Sequence, residues 1–188
     1  MPNYLGAIAI ILMIGMVLTR VLVLKRRGIK AMRFGEIDKK DFLIPPFVFF
    51  YIYVVFAAAF AWPAVSKQEF FHSETISWFG VAACAAGVLV LLWSLVSFGR
   101  SFRVGIDVNQ PDELITSGIF ALSRNPIYVA LAAILIGQFL IFPNWILLLY
   151  IVTAAWLFHR QVLREEGSLQ AHYGQQYLAY SNRVRRYL

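Results

Sequence analysis

Five apolar runs separated by polar segments of unequal length organise this chain, at about residues 4–24, 42–65, 76–98, 126–142 and 145–158. The first three approach the twenty or so apolar residues that an α-helix needs to cross a bilayer, and each predicts a transmembrane helix. Pro45 and Pro46 stand near the start of the second run, where prolines begin or kink a helix. The third run is rich in small residues over 82–87, a composition that lets helices pack closely in lipid. Cys84 lies within it and reads as a small packing residue. Only Pro143 and Asn144 separate the fourth and fifth runs, which demands a tight antiparallel hairpin. Both of its arms are short for a full crossing, so the hairpin tilts shallowly or is shielded by other helices.

The polar segments differ in character. Residues 25–41 are basic, with Lys25, Arg26, Arg27, Lys30, Arg33, Lys39 and Lys40, whereas 66–75 carries Lys67 as its only basic residue. Residues 99–125 form a long connection containing Arg100, Arg103 and Arg124; connections of that length are uncommon in compact domains and often functional. In the tail, 159–188, Val162, Leu169, Tyr173, Tyr177, Tyr180 and Val184 recur at steps of three, four or seven. That spacing predicts an amphipathic helix interrupted at Gly174, lying at the interface with Arg183, Arg185 and Arg186 on lipid phosphates.

Composition turns these runs into a fold class. At 60% hydrophobic and 16% aromatic over 188 residues, the chain is too apolar for a soluble domain. It predicts an all-α, polytopic membrane bundle of about five transmembrane helices. The net charge of +7 lies between and after the apolar runs and not in a separate basic domain, so membrane lipids with anionic headgroups, and no nucleic acid, are the expected partners. Of the 17 lysines and arginines only Lys67 falls in a segment that would lie outside. The positive-inside rule then places the amino terminus outside and the carboxy terminus in the cytoplasm. The first run ends in Lys25, Arg26 and Arg27 instead of small residues, so it reads as a retained span. A single cysteine excludes a disulfide framework or a cysteine zinc site within the chain. Without an internal repeat, residues 1–188 read as one domain, with three spans in 1–98.

Two stretches carry candidate chemistry. In Ser123, Arg124, Asn125, Pro126, Ile127 and Tyr128 a guanidinium and an amide immediately precede a helix-starting proline. A helix mouth offers free backbone donors and a positive dipole end, so it favours anions; the competing reading is an ordinary start-of-span signal. Where the fifth run meets the tail stand His159, Arg160, Arg164, Glu165 and Glu166. Adjacent glutamates point about a hundred degrees apart on a helix, so one suits a ligand while the other pairs with an arginine. His159 and Glu166 share a face, but two ligands without a third make no metal site, and none is assigned. Walker, dinucleotide and nucleophile-elbow motifs are absent, and Asp107, Asp112 and Glu113 match no standard cation loop. The spans lack the buried charges of an ion pathway, which disfavours a transporter. What remains is an arginine suited to a carboxylate, glutamates suited to a ribose hydroxyl or an amino group, and aromatics suited to a purine. Those are the parts of S-adenosylmethionine.

Taken together, Leu114, Ile115, Thr116, Ser117, Gly118, Ile119 and Phe120, then Ser123 to Tyr128, then Arg164, Glu165 and Glu166, and finally Tyr173, Gly174, Tyr177, Tyr180 and Arg186 make the second half of the chain resemble the isoprenylcysteine carboxyl methyltransferase family, which is related to membrane phospholipid methyltransferases. The resemblance implies a cytoplasmic S-adenosylmethionine pocket built from 99–188 and roofed by the helical tail. It implies cofactor-binding roles for Leu114, Gly118, Ile119, Arg124, Asn125, Tyr128, Glu165 and Glu166, and substrate-side roles for Arg186 and Arg103. Asn125 stands where that family carries a histidine, and Ala130 where a glycine is frequent. The implied reaction is methyl transfer to a lipidic or prenylated small molecule drawn from the bilayer, most simply a carboxylate held by Arg186. An amine acceptor, as in phospholipid N-methylation, needs a base, for which His159 or one glutamate is the candidate. Outside this class stand a non-catalytic membrane scaffold or binder, which Asn125 keeps open, and a nicotinamide-dependent membrane reductase, which lacks a second basic cluster for the extra phosphates.

Overall fold

The computed structural model describes residues 1–26, 44–62, 69–98 and 114–188. Arg103, its neighbours Arg100, Asp107, Asp112 and Glu113, residues 27–43 with most of the basic segment, Pro63 and Lys67 lie outside the described residues. Within them the chain is helical: α1 Pro2–Arg26, α2 Ile44–Ala59, α3 Glu74–Phe98, a 3-10 turn Gly118–Ala121, α4 Pro126–Ile141, α5 Trp145–Tyr173 and α6 Gln175–Ser181. The one extended pairing among these residues is an isolated bridge between Glu69 and Asn144. α1, α3 and α5 are long and apolar enough to cross a membrane, while the apolar helices around α2 and α4 are shorter. At the helical rise, 25 residues in α1 and in α3 reach about 37 Å and the 16 of α4 about 24 Å. This is a helical integral membrane protein.

Two boundaries differ from the hydropathy pattern, each for a local reason. α2 stops at Ala59 and not near 65: the Trp62 amide donates to Ala57 O at 2.9 Å, and Ala61 takes a positive φ of 54°. Trp62 precedes a proline, which disfavours helical backbone at that residue. At the other boundary the fifth apolar run and the first half of the tail are one continuous helix. Polarity changes at Phe158, but no proline intervenes, and backbone hydrogen bonding is indifferent to polarity. The helix ends where the sequence predicts a break, at Gly174, whose φ is +51°.

α3 and α4 make the tightest seam of the bundle. Gly80, Cys84, Gly87 and Leu91 are the buried line of α3, spaced four, three and four apart as one helical face requires. The small-residue expectation is therefore right in kind and needs correcting in register, since Ala82, Ala85 and Ala86 of the same run face outward. A methyl group built on Gly80 would lie 2.6 Å from the backbone oxygen of Gly137; only glycine permits that approach. Cys84 is the packing residue expected, buried with its thiol 3.6 Å from Ile134 O. α1 joins through Gln138 of α4, a buried amide that donates to Gly6 O at 2.7 Å. Its bond within the bundle satisfies a polar group that lipid would not.

α4 turns into α5 through Phe142, Pro143 and Asn144. Asn144 is fully buried and caps α5, accepting from the Ile146 and Leu147 amides at 2.9 and 3.0 Å while its own amide donates to Phe142 O at 2.8 Å. Phe70 clamps the turn from outside: its amide donates to Pro143 O at 2.8 Å and its ring meets Trp145 edge-on at 5.1 Å. Near the opposite end of α4, Leu24, Leu91, Leu95 and Ala130 form a buried apolar cluster from α1, α3 and α4. The first turn of α4 is thereby held against a packed floor.

Candidate functional site

The mouth of α4 is approached from the 3-10 turn. Gly118 has a φ of +63°, and a side chain there would strike the Ser97 hydroxyl at 2.6 Å, so the turn closes directly on the end of α3. Phe120 seals the contact with its ring edge-on to Phe98 at 4.5 Å. Ser123, buried, accepts the Asn125 amide at 3.1 Å. Asn125 occupies the cap position of α4 with Pro126 following, yet its side chain does not cap its own helix. It instead donates twice across the fold, to Glu166 Oε1 at 3.0 Å and to Arg186 O at 3.1 Å. The Arg124 amide likewise donates to Arg185 O at 2.9 Å. The Arg124 and Asn125 amides at this mouth are thus already taken, the first by Arg185 O of the segment that folds back over it and the second by Ser123 Oγ within its own loop.

Glu166 lies at the centre. Its side chain is 10% exposed, with Oε1 3.6 Å from Arg124 Nη1 and Oε2 3.0 Å from both Nε and Nη2 of Arg186. A carboxylate at that depth requires such partners, since a buried unpaired charge is costly. The same bond raises the Arg186 guanidinium above its ordinary range. Arg124 also reaches the Tyr177 hydroxyl at 3.4 Å, while its Nε is buried without a hydrogen-bond partner among the described residues. Burial, and then the nearby Glu166, raise the Tyr177 phenol. Burial pushes Tyr180 up to about 12, so it stays a neutral donor and ties α6 to the turn through a 2.7 Å bond to Phe120 O.

Glu165 faces another way, as adjacent helical positions must. Its Oε1 accepts from the Tyr128 hydroxyl at 2.7 Å and from Gln161 at 3.0 Å. Tyr128 packs its ring 5.5 Å from that of Phe158. His159 is exposed, with Nδ1 2.9 Å from the Tyr187 hydroxyl.

The fold therefore gathers Arg124, Asn125, Glu166 and Arg186 into one network and sets Tyr128 with Glu165 beside it. Ile119 is buried and Gly118 exposed in the adjoining turn. Leu114 is half-buried at the edge of the described segment, and Arg103 lies outside it. His159 contacts the same tail as the network, at Tyr187 and not at a carboxylate. Sequence reasoning missed Gln161, although its position four residues before Glu165 on one helix face was a usable signal. It also missed Tyr187, for which spacing offered none. Among the described residues, no three or more His, Cys, Asp or Glu side chains gather as a metal ion would need. An anionic ligand group suits this arrangement, because the Arg124 Nε is a buried donor without a hydrogen-bond partner among the described residues.

Comparison with known proteins places this architecture. The family model described as phospholipid methyltransferase matches residues 75–176. A protein-S-isoprenylcysteine O-methyltransferase of Tribolium castaneum is 26% identical over 136 residues, covering 68% of this chain and 48% of the relative. Protein-S-isoprenylcysteine O-methyltransferase B of Arabidopsis thaliana is 27% identical over 112 residues, covering 58% and 57%. The chain thus spans about half the length of the curated relatives it matches. Among solved structures, the eukaryotic intramembrane Ras methyltransferase ICMT superposes with a TM-score of 0.63 at 20% identity, over 88% of this chain and 58% of that one. That likeness is one of fold.

Proposed function

The chain belongs to the phospholipid methyltransferase family, and we propose that it is an integral-membrane methyltransferase that uses S-adenosylmethionine to methylate a lipidic acceptor. The observation that carries this reading is the buried Arg124 Nε, unpaired beside the Glu166 network within the family-matched region. In this reading one domain, 1–188, crosses the bilayer five times, with α4 and α5 as the hairpin, the amino terminus outside and the site cytoplasmic. The preferred acceptor is the carboxylate of an isoprenylcysteine-like molecule, in keeping with the names of the relatives.

Arg124 holds the cofactor's carboxylate, and Glu165, oriented by Tyr128 and Gln161, takes a hydroxyl or amino group. Leu114, Gly118, Ile119, Asn125 and Glu166 would supply the remaining contacts to the cofactor. When bound, S-adenosylmethionine supplies an electrophilic methyl group on sulfur, so no nucleophile from the protein is needed. The protein aligns the two partners and excludes water. Arg186 uses Nε and Nη2 on Glu166, which leaves Nη1 for an acceptor carboxylate, assisted by Arg103. The family description supports a second reading, methylation of a phospholipid amine; in that case His159 is the candidate base that keeps the amine neutral.

Calorimetric titration of the detergent-purified protein tests this directly. Saturable binding of S-adenosylmethionine and S-adenosylhomocysteine, with none of reduced nicotinamide cofactor, is the expected result. Binding of the nicotinamide alone would move the protein to the reductase reading, and no binding by folded protein would leave a scaffold. Methyl transfer to a prenylcysteine against phosphatidylethanolamine then separates the two acceptors.

A further inference from the structure

The geometry points to Asn125 as a pH-independent latch that holds residues 185–187 over the mouth of α4. Both of its cross-fold partners, a Glu166 oxygen and the Arg186 carbonyl, only accept hydrogen bonds. The position therefore has to supply two donors at once, at 3.0 and 3.1 Å. A side-chain amide carries two hydrogens on one nitrogen at every pH. A neutral imidazole carries one N–H and supplies two donors only when protonated, below about pH 6.5. With asparagine at 125, α4, α5 and the 185–187 segment stay joined through a neutral group that does not titrate. Arg124 works in parallel through its amide bond to Arg185 O, and Arg186 through its own bonds to Glu166 Oε2, so Asn125 is the uncharged side-chain tie among three.

The charged and titratable groups around Asn125 come from every element that packs on it: Arg124 from its own loop, Tyr128 from α4, Glu165 and Glu166 from α5, Tyr177 from α6, and Arg186 and Tyr187 from the segment itself. His159 meets that segment at Tyr187 and is the one neighbouring imidazole, so a test must remove it. As a positioning role in methyl transfer the latch rests on the proposed function. The latch itself belongs to the ligand-free protein, and its failure is separable from failure of the catalytic reading.

A nitroxide on Leu188→Cys, an exposed position, reports the segment in full-length protein in detergent, with buried Cys84 retained and His159→Phe as the common background. With Asn125 the label is expected to stay immobilised from pH 5 to pH 8. Asn125→His should be as immobilised as the parent at pH 5 and gain a mobile component as pH rises through about 6.5, and Asn125→Ala should show that mobile component at every pH, while the Arg124 and Arg186 bonds keep part of the label immobilised. Acid rescue of the histidine variant is the outcome that a mere loss of packing would not produce. A label immobilised alike in all three proteins, or a histidine variant indifferent to pH, overturns the latch. If neither variant folds, the background protein decides: immobilisation held from pH 5 to 8 supports the latch, and release within that range overturns it.

Discussion

The α3–α4 seam and the cluster at the mouth of α4 lie on the same helix and are built from opposite materials. Along the seam Gly80, Cys84 and Gly87 bring two backbones together without charge, and the contact depends on what is missing from the side chains. At the mouth, two guanidiniums, a carboxylate and an amide meet from three separate stretches of chain, and the contact depends on each having its partner. In lipid no hydrophobic force drives helices together, so close packing of small residues must hold the seam. At the mouth each charge that leaves water needs a partner. The seam carries the mouth: Ala130, about a turn and a half beyond Asn125, is buried against Leu91 and Leu95 of α3. An error in the seam should therefore propagate to the mouth, while an error at the mouth should stay local.

The largest effect is expected from Gly80→Leu. Its side chain meets the Gly137 backbone, which cannot move aside as a flexible side chain would, and overpacking of this kind costs about 1–3 kcal/mol or more. Thermal unfolding in detergent should show a much lower midpoint, with cofactor binding lost alongside; a variant that unfolds like the parent would break the dependence of mouth on seam. Arg124→Ala should weaken S-adenosylhomocysteine binding about tenfold to a hundredfold, the worth of a charge-assisted bond of about 1.5–3 kcal/mol, and should also lower the unfolding midpoint, because buried Glu166 then keeps only Arg186 as a cationic partner. Titration calorimetry on folded protein checks it, and parent-like affinity would remove Arg124 from the site.

Glu166→Gln keeps the shape and removes the charge between Arg124 and Arg186. Because the Arg186 side chain is 38% exposed, solvent screens part of the loss, and about 1–2 kcal/mol of stability is expected to go. A double-mutant cycle with Arg186→Met should show coupling; strict additivity would mean that the pair is incidental. Tyr180→Phe is the smallest change, deleting one bond to Phe120 O at about 1 kcal/mol. It should lower the unfolding midpoint slightly and leave cofactor affinity within about twofold if α6 braces the turn without touching ligand.

Much of the scaffold was legible in advance. Apolar runs announced the helices, Pro126 began α4, Asn144 and Pro143 made the turn, and Gly174 ended α5. The continuous α5 was not, because hydropathy marks where lipid stops and not where a helix stops. Nor was the register of the small-residue face, since 82–87 is small nearly all round and only contact with Gly137 and Ile134 selects Gly80, Cys84 and Gly87. At the mouth, motif spacing brought forward Arg124, Asn125, Glu165 and Glu166, and the hundred-degree step separated the two glutamates. Which of them would meet the arginines was settled by how α5 is rotated against α4.

By itself the sequence determined a helical membrane protein with its basic residues gathered in the polar segments between and after the apolar runs, because hydropathy and charge act on each segment alone. Only the tertiary structure decided that the carbonyls of Arg185 and Arg186 would occupy the donors of Arg124 and Asn125. Those partners stand about sixty residues apart along the chain. Hydrogen bonds act over about 3 Å, and no local pattern encodes which distant acceptor will arrive within that reach.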